Sequence, residues 1–250
     1  MTTQNTTAAN ATVTPAPILF YGVPEGCSFG SIVALEWLGK PYRLSRIEMP
    51  EQVSSEVYRR LNPLGETPTL MTPQGHLISE SMAIQNHIAA QGIDSGLGFA
   101  QGTPEFDRLN QMLAFLNTTF FGAFSPLWYA LEHTAEGSAE QQLLVAHGHA
   151  KVAHAHAKLE QLIGDGPWLL GEQRSAADAY FAGIARWNDF HRVLNRSDYP
   201  RLDALYRRLQ QDPAVQFAHA IEAQQPAQGS GALVDQLSLE QALELLPAGR

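Results

Sequence analysis

Cysteine is nearly absent from this chain: Cys27 stands alone among 250 residues. No intrachain disulfide is possible, so a reducing cytoplasm is the expected compartment. Long apolar runs are missing too. No stretch approaches the roughly 18 to 20 apolar residues that span a bilayer, so no membrane association is expected. Basic side chains are few, with 16 Lys and Arg against 25 Asp and Glu, a net charge of −9. That balance argues against a general nucleic-acid binder, which needs a basic face to displace counterions. Met1 to Pro17 has neither a basic start nor an apolar core, so it reads as a flexible tail rather than a secretory signal. Its sequons at Asn5 and Asn10 therefore carry little meaning. The histidines His147, His149, His154 and His156 lack the i,i+3 or i,i+4 spacing of a helical ligand pair, and no metal is expected. There is no internal repeat.

What is present falls into two halves. Ile18-Leu19-Phe20-Tyr21 is a buried-strand candidate, followed by a Gly/Pro loop. A helix then starts near Cys27 or Ser28, with Phe29, Ile32, Val33, Leu35 and Leu38 at helical spacing and Gly39 as its C-cap. Tyr42 to Met49 fits a second strand, and Glu51 to Leu61 a helix or irregular connection. Thr69-Leu70-Met71 and His76-Leu77-Ile78 flank Pro73-Gln74-Gly75 as a hairpin, and Ser81 to Gln91 closes the unit as a helix. This β-α-β-(α)-β-β-α order is that of a thioredoxin-like domain over residues 18–91. A Gly-rich linker over 92–103 leads to an all-helical domain over 104–224. The pattern there predicts one long helix from Pro104 through Phe121, another over Glu140 to Ile163, and an amphipathic run from the cap Ser175-Ala176-Ala177-Asp178 to about Leu194. Residues 225–250 form a C-terminal extension with a short leucine-rich helix.

The segment Asn62-Pro63-Leu64-Gly65-Glu66-Thr67-Pro68 followed by Glu80-Ser81 carries the most specific signal. Pro68 cannot donate to a sheet ladder, so it marks an edge whose backbone groups are open to a ligand. Glu80-Ser81 opens a helix, whose unpaired amides suit a carboxylate while the Glu80 side chain suits an amine. Edge and helix start together read as a cradle for a small zwitterionic peptide. With the surrounding order of elements, Ile18 to Ala223 resembles the glutathione transferase family. The resemblance implies a thioredoxin-like α/β domain followed by an all-α domain. It also implies a cis Pro68, and glutathione as co-substrate held by Glu66, Thr67, Pro68, Glu80 and Ser81. Thr67 would pair with the cysteinyl unit and Glu80-Ser81 with the γ-glutamyl end, in a homodimer.

Two residues compete for the chemistry. Cys27 stands where the first strand turns into the first helix, and the turn resembles the Cys-Ser of the bacterial beta class. A thiol at a helix start is expected to have a lowered pKa. Gly30, three residues on, leaves no resolving cysteine, so only a monothiol exchange with glutathione is open to it. Cys27 as a small packing residue is the bland alternative. Ser28 would instead donate its hydroxyl to the glutathione sulfur, or merely cap the helix. Tyr21 reads as a core tyrosine. Alignment on Phe124-Ser125-Pro126-Leu127 puts Phe121 where the beta class offers a histidine. The aromatics around Gly122 and Pro126 are core residues or the wall of an apolar electrophile site. The expected function is attack of the glutathione thiolate on a small apolar electrophile. The alternatives are thiol-disulfide exchange through Cys27 and a non-catalytic binding protein on the same scaffold. The tail helix either folds over the site, packs on a partner or hangs free.

Overall fold

The computed structural model describes residues 16–246. The N-terminal tail and its sequons lie, up to residue 15, outside the described residues. A five-stranded mixed sheet is built from β1 (Ile18–Val23), β2 (Tyr42–Glu48), β3 (Thr69–Met71), β4 (Leu77–Ser79) and β5 (Leu233–Leu237), in the order β4-β3-β1-β2-β5. β1 runs parallel to β2 and antiparallel to β3, and β3 to β4 is the expected hairpin. All six residues of β1 are buried, as a central strand with both faces covered requires. Its period of two sends Leu19, Tyr21 and Val23 into the main core and Ile18 and Phe20 into a second cluster on the opposite face.

On the main-core face lie α1 (Phe29–Leu38) and α3 (Ser81–Gln91). Gly39 ends α1 in the left-handed conformation, at φ 66°. Between β2 and β3 only the four residues of α2 (Glu56–Arg59) are helical; turns make up most of the rest. This mixed thioredoxin-like unit is followed by helices: α4 (Pro104–Phe115), α5 (Ser125–His133), α6 (Ala139–Leu162), α7 (Ala176–Ala185), α8 (Trp187–His191), α9 (Pro200–Gln211) and α10 (Pro213–Glu222). Among the described residues no helix is long and apolar enough to cross a membrane.

Three expectations change. The long helix predicted from Pro104 through Phe121 stops at Phe115 and continues as a π-helical stretch over Leu116–Phe121. The wider turn alters which side chains face inward, a distortion often found at functional sites. The run from Ser175 is not amphipathic: every residue of α7 is buried, because the helix lies between α1 and the other helices. Small residues on both helices permit that approach, since a Cβ on Gly30 of α1 would stand 2.5 Å from the Ala179 carbonyl oxygen and one on Gly183 of α7 would stand 2.8 Å from Gly30 N. The capping box is formed, with the Asp178 carboxylate accepting from Ser175 N and Leu169 N, each at 2.8 Å. Third, the C-terminal extension contributes more than a helix. β5 adds a parallel strand to the β2 edge, and α11 (Leu239–Glu244) buries Leu239 and Ala242 against Ile18, Phe20, Ile47 and Met71. The described part of the tail thus closes the second face of the sheet, and none of its described residues lines the cleft described next.

Candidate active site

The turn from β1 into α1 presents Cys27. Val23-Pro24 is cis, Glu25 has φ 52°, and Cys27 follows Gly26. The Cys27 thiol donates to the Thr67 carbonyl oxygen at 3.3 Å, while the Ser81 hydroxyl donates to Cys27 Sγ at 3.4 Å. One half-buried sulfur therefore joins the proline edge to the start of α3. Burial pushes the thiol above its ordinary value, against the opposing pulls of the Ser81 hydroxyl and the Arg186 charge. This reverses the lowered pKa expected from sequence. α1 begins only at Phe29, and loss of water outweighs the helix-start field at the sulfur.

Ser28 is directed elsewhere. It is fully buried, and its Oγ accepts from Gly22 N at 3.0 Å and lies 3.5 Å from the Gly22 carbonyl oxygen. The side chain clamps the end of β1 to the start of α1, so the expectation of a sulfur-facing hydroxyl is corrected on geometric grounds. Tyr21 is likewise a core residue.

The proline edge is rigidly built. Thr67-Pro68 is cis. The Glu66 carbonyl before it accepts from Tyr58 Oη at 2.9 Å and from Asn62 Nδ2 at 2.8 Å. The Thr67 hydroxyl donates to Met49 Sδ at 3.4 Å. Across the cleft, Glu80 has φ 68°, a left-handed conformation uncommon for a non-glycine residue and enriched at ligand clamps. Its side chain makes no cap bond to α3 and is exposed, whereas Ser81 is buried.

Cys27, Glu66, Thr67, Pro68, Glu80 and Ser81 all line a single cleft of about 240 Å³, and Ser28 does not. Sequence reading missed Tyr180 and Asn117, which line it as well. Tyr180 Oη donates to Asn117 Oδ1 at 2.7 Å, and burial raises the phenol pKa. Asn117 stands on the π-helical stretch and Tyr180 on α7, so only the tertiary fold brings them together. Phe121, which occupies the place where a histidine was sought, forms part of the wall. Among the described residues no three potential metal ligands cluster. His156 is buried against Phe120, its Nδ1 2.8 Å from the Val152 carbonyl oxygen, whereas His147 and His154 are exposed.

A family model for the N-terminal domain of glutathione S-transferases matches residues 27–91. Glutathione S-transferase GST-4.5 of Xanthomonas campestris pv. campestris is 29% identical over 201 residues, covering 79% of this chain and 95% of that relative. A sphingomonad glutathione S-transferase solved in complex with glutathione superposes with a TM-score of 0.71 at 28% identity, over 82% of this chain and 98% of that one. The bacterial beta-class enzyme of Sphingomonas chungbukensis gives 0.69 at 29% identity, over 82% and 98%. Fold, cleft and relatives agree in supporting a glutathione transferase family, beta-like, as the one this chain resembles.

Proposed function

We propose that glutathione lies extended along the Thr67-Pro68 edge, with its γ-glutamyl end at Glu80-Ser81 and its sulfur beside Cys27. The carrying observation is the single cleft that gathers these residues. The Glu80 carboxylate offers an anion for the amine, and the first amides of α3 offer donors for the carboxylate. The Thr67 carbonyl oxygen, which accepts from the Cys27 thiol, is also the acceptor for the cysteinyl N–H.

In this reading the glutathione thiolate attacks a small apolar electrophile. A sulfur–carbon bond forms, and the leaving group of an aryl halide departs as halide. Because burial raises its pKa, Cys27 stays a neutral thiol near pH 7 and serves the bound thiolate as a hydrogen-bond donor. The Phe121 and Tyr180 rings supply the apolar wall for the electrophile. The protein acts as a cytoplasmic homodimer in detoxification, a reading supported by the family.

Calorimetry with millimolar glutathione and conjugation of an aryl halide test the reading. A donor to a charged group contributes about 1.5–3 kcal/mol, so Cys27→Ala should slow conjugation by about tenfold to a hundredfold without abolishing it. Abolition of mixed-disulfide reduction with conjugation untouched would transfer the function to thiol-disulfide exchange. Absence of glutathione binding would leave only the non-catalytic scaffold.

A further inference from the structure

The loop that presents Cys27 is gripped from behind by two consecutive residues at the α7–α8 junction. Arg186 is 7% exposed, and all three of its nitrogens donate. Nε donates to the Gly183 carbonyl oxygen at 3.1 Å, and Nη2 to the Gly26 carbonyl oxygen at 2.8 Å and Glu222 Oε1 at 3.1 Å. Nη1 meets Glu222 Oε2 at 2.7 Å and Glu25 Oε2 at 3.1 Å. Four of these contacts are hydrogen bonds, and the approach of Glu25 adds a second ion pair. The group also stands 4.5 Å over the Phe29 ring. Next to it, Trp187 Nε1 donates to the Glu25 carbonyl oxygen at 2.9 Å. Two side chains thus hold two successive carbonyls immediately before Cys27.

The loop needs such a hold. Glu25 is a non-glycine residue at positive φ, and a Cβ on Gly26 would stand 2.1 Å from the Gly22 carbonyl oxygen. Behind it, Glu25, Arg186 and Glu222 line a second cavity of about 480 Å³ that contains none of the predicted site residues. Arg186 lines this second cavity and not the cleft, so it reaches Cys27 through the loop backbone it holds.

We propose that Arg186 is a positioning residue for the transferase reaction: it fixes Cys27 against the Thr67-Pro68 edge and supplies positive potential at the sulfur, with Glu222 as the counter-charge that moderates it. The proposal rests on the reading of Cys27 as the group that faces the glutathione sulfur. The charged groups acting on Cys27 are Arg186, which favours the thiolate, and Glu66, which opposes it. Burial pushes Glu222 up to about 7 despite the pull of Arg186, and Glu25 and Arg46 are its other charged neighbours. At pH 8.5 it is ionised.

The test is the rate of alkylation by iodoacetamide at pH 8.5 without glutathione, read on the chain's single cysteine. Arg186→Gln should slow alkylation by about threefold to tenfold, because loss of the positive charge lowers the thiolate fraction of a thiol that burial already raises. Glu222→Gln should accelerate it by a similar factor. Arg186→Lys should restore the alkylation rate but not conjugation kcat/KM, because an ammonium cannot hold the Gly26 carbonyl and both carboxylates as a planar fork does. Loosening of the loop alone would move Arg186→Gln and Glu222→Gln in the same direction, and that result would overturn the proposal. An unchanged rate in natively folded Arg186→Gln would overturn it as well. If that variant does not fold, Glu222→Gln decides alone: faster alkylation supports the proposal, and equal or slower alkylation refutes it. The readout contains no glutathione, so failure of glutathione binding would leave it intact.

Discussion

Replacing Ser28 by alanine separates a structural hydroxyl from a chemical one. The Ser28 Oγ is the acceptor for the Gly22 N–H at 3.0 Å, and both residues are buried. No room exists to repair the loss with water, because a Cβ on Gly22 would already stand 2.1 Å from Thr67 Oγ1 and 2.7 Å from Met49 Sδ. Ser28→Ala therefore leaves one buried donor unpaired, at a cost of about 1–3 kcal/mol. For a chain of this size that corresponds to a fall in Tm of about 2–12 °C. Urea unfolding should show a lower midpoint with an unchanged slope. Steady-state conjugation at 25 °C should keep kcat within about threefold, since the hydroxyl touches nothing in the cleft. A hundredfold loss of kcat with an unchanged urea midpoint would refute this reasoning and return Ser28 to the sulfur.

Burial holds His156 neutral, lowering its pKa from 6.5 to about 4, so the unfolded chain binds more protons than the folded one between those values. Stability should fall as pH drops from 6.5 towards 4, by about 3 kcal/mol in all from this group; urea unfolding at pH 7.5 and 5 should show that slope flattened in His156→Gln. Tyr180→Phe removes the bond to Asn117 Oδ1 but keeps the ring in the cleft wall, so urea unfolding should show a loss of about 0.5–1.5 kcal/mol while conjugation kcat stays within about threefold. Ala242→Asp puts a charge beside Ile18, Phe20 and Leu239, in the same cluster as Tyr58, whose hydroxyl supports the Glu66 carbonyl. It should cost more than about 3 kcal/mol in urea unfolding and raise the glutathione KM.

The parts of this molecule that were legible in the sequence are those set by local chemistry. Gly39 as a C-cap, the Ser175/Asp178 capping box, the Pro73-Gln74-Gly75 hairpin and the strand-helix order each follow from residue types at fixed short spacing. Glu66, Thr67, Pro68, Glu80 and Ser81, the set the family resemblance implies, line one cleft because two adjacent elements carry them. What escaped was decided by packing between distant segments. Ser28 read as a donor to the sulfur or a helix cap, but the end of β1 takes its hydroxyl. Tyr180 and Asn117 are 63 residues apart and meet only across α7 and the π-helical stretch. α7 read as amphipathic because Asp178 and Arg186 bracket an apolar run; both are buried and satisfied by partners that periodicity does not reveal. Alternation in Leu233–Leu237 is too short to announce a strand, and β5 exists because the β2 edge was open to receive it.

The central claim is that one cleft binds glutathione with its sulfur at Cys27. A crystal structure of the chain with glutathione tests it most directly. The account predicts the cysteinyl backbone paired with Thr67, the γ-glutamyl end at Glu80-Ser81, and the glutathione sulfur within hydrogen-bond reach of Cys27 Sγ, with Ser28 Oγ still bonded to Gly22. Glutathione bound in the cavity behind Arg186, or its sulfur turned to a Ser28 hydroxyl released from Gly22, would contradict it.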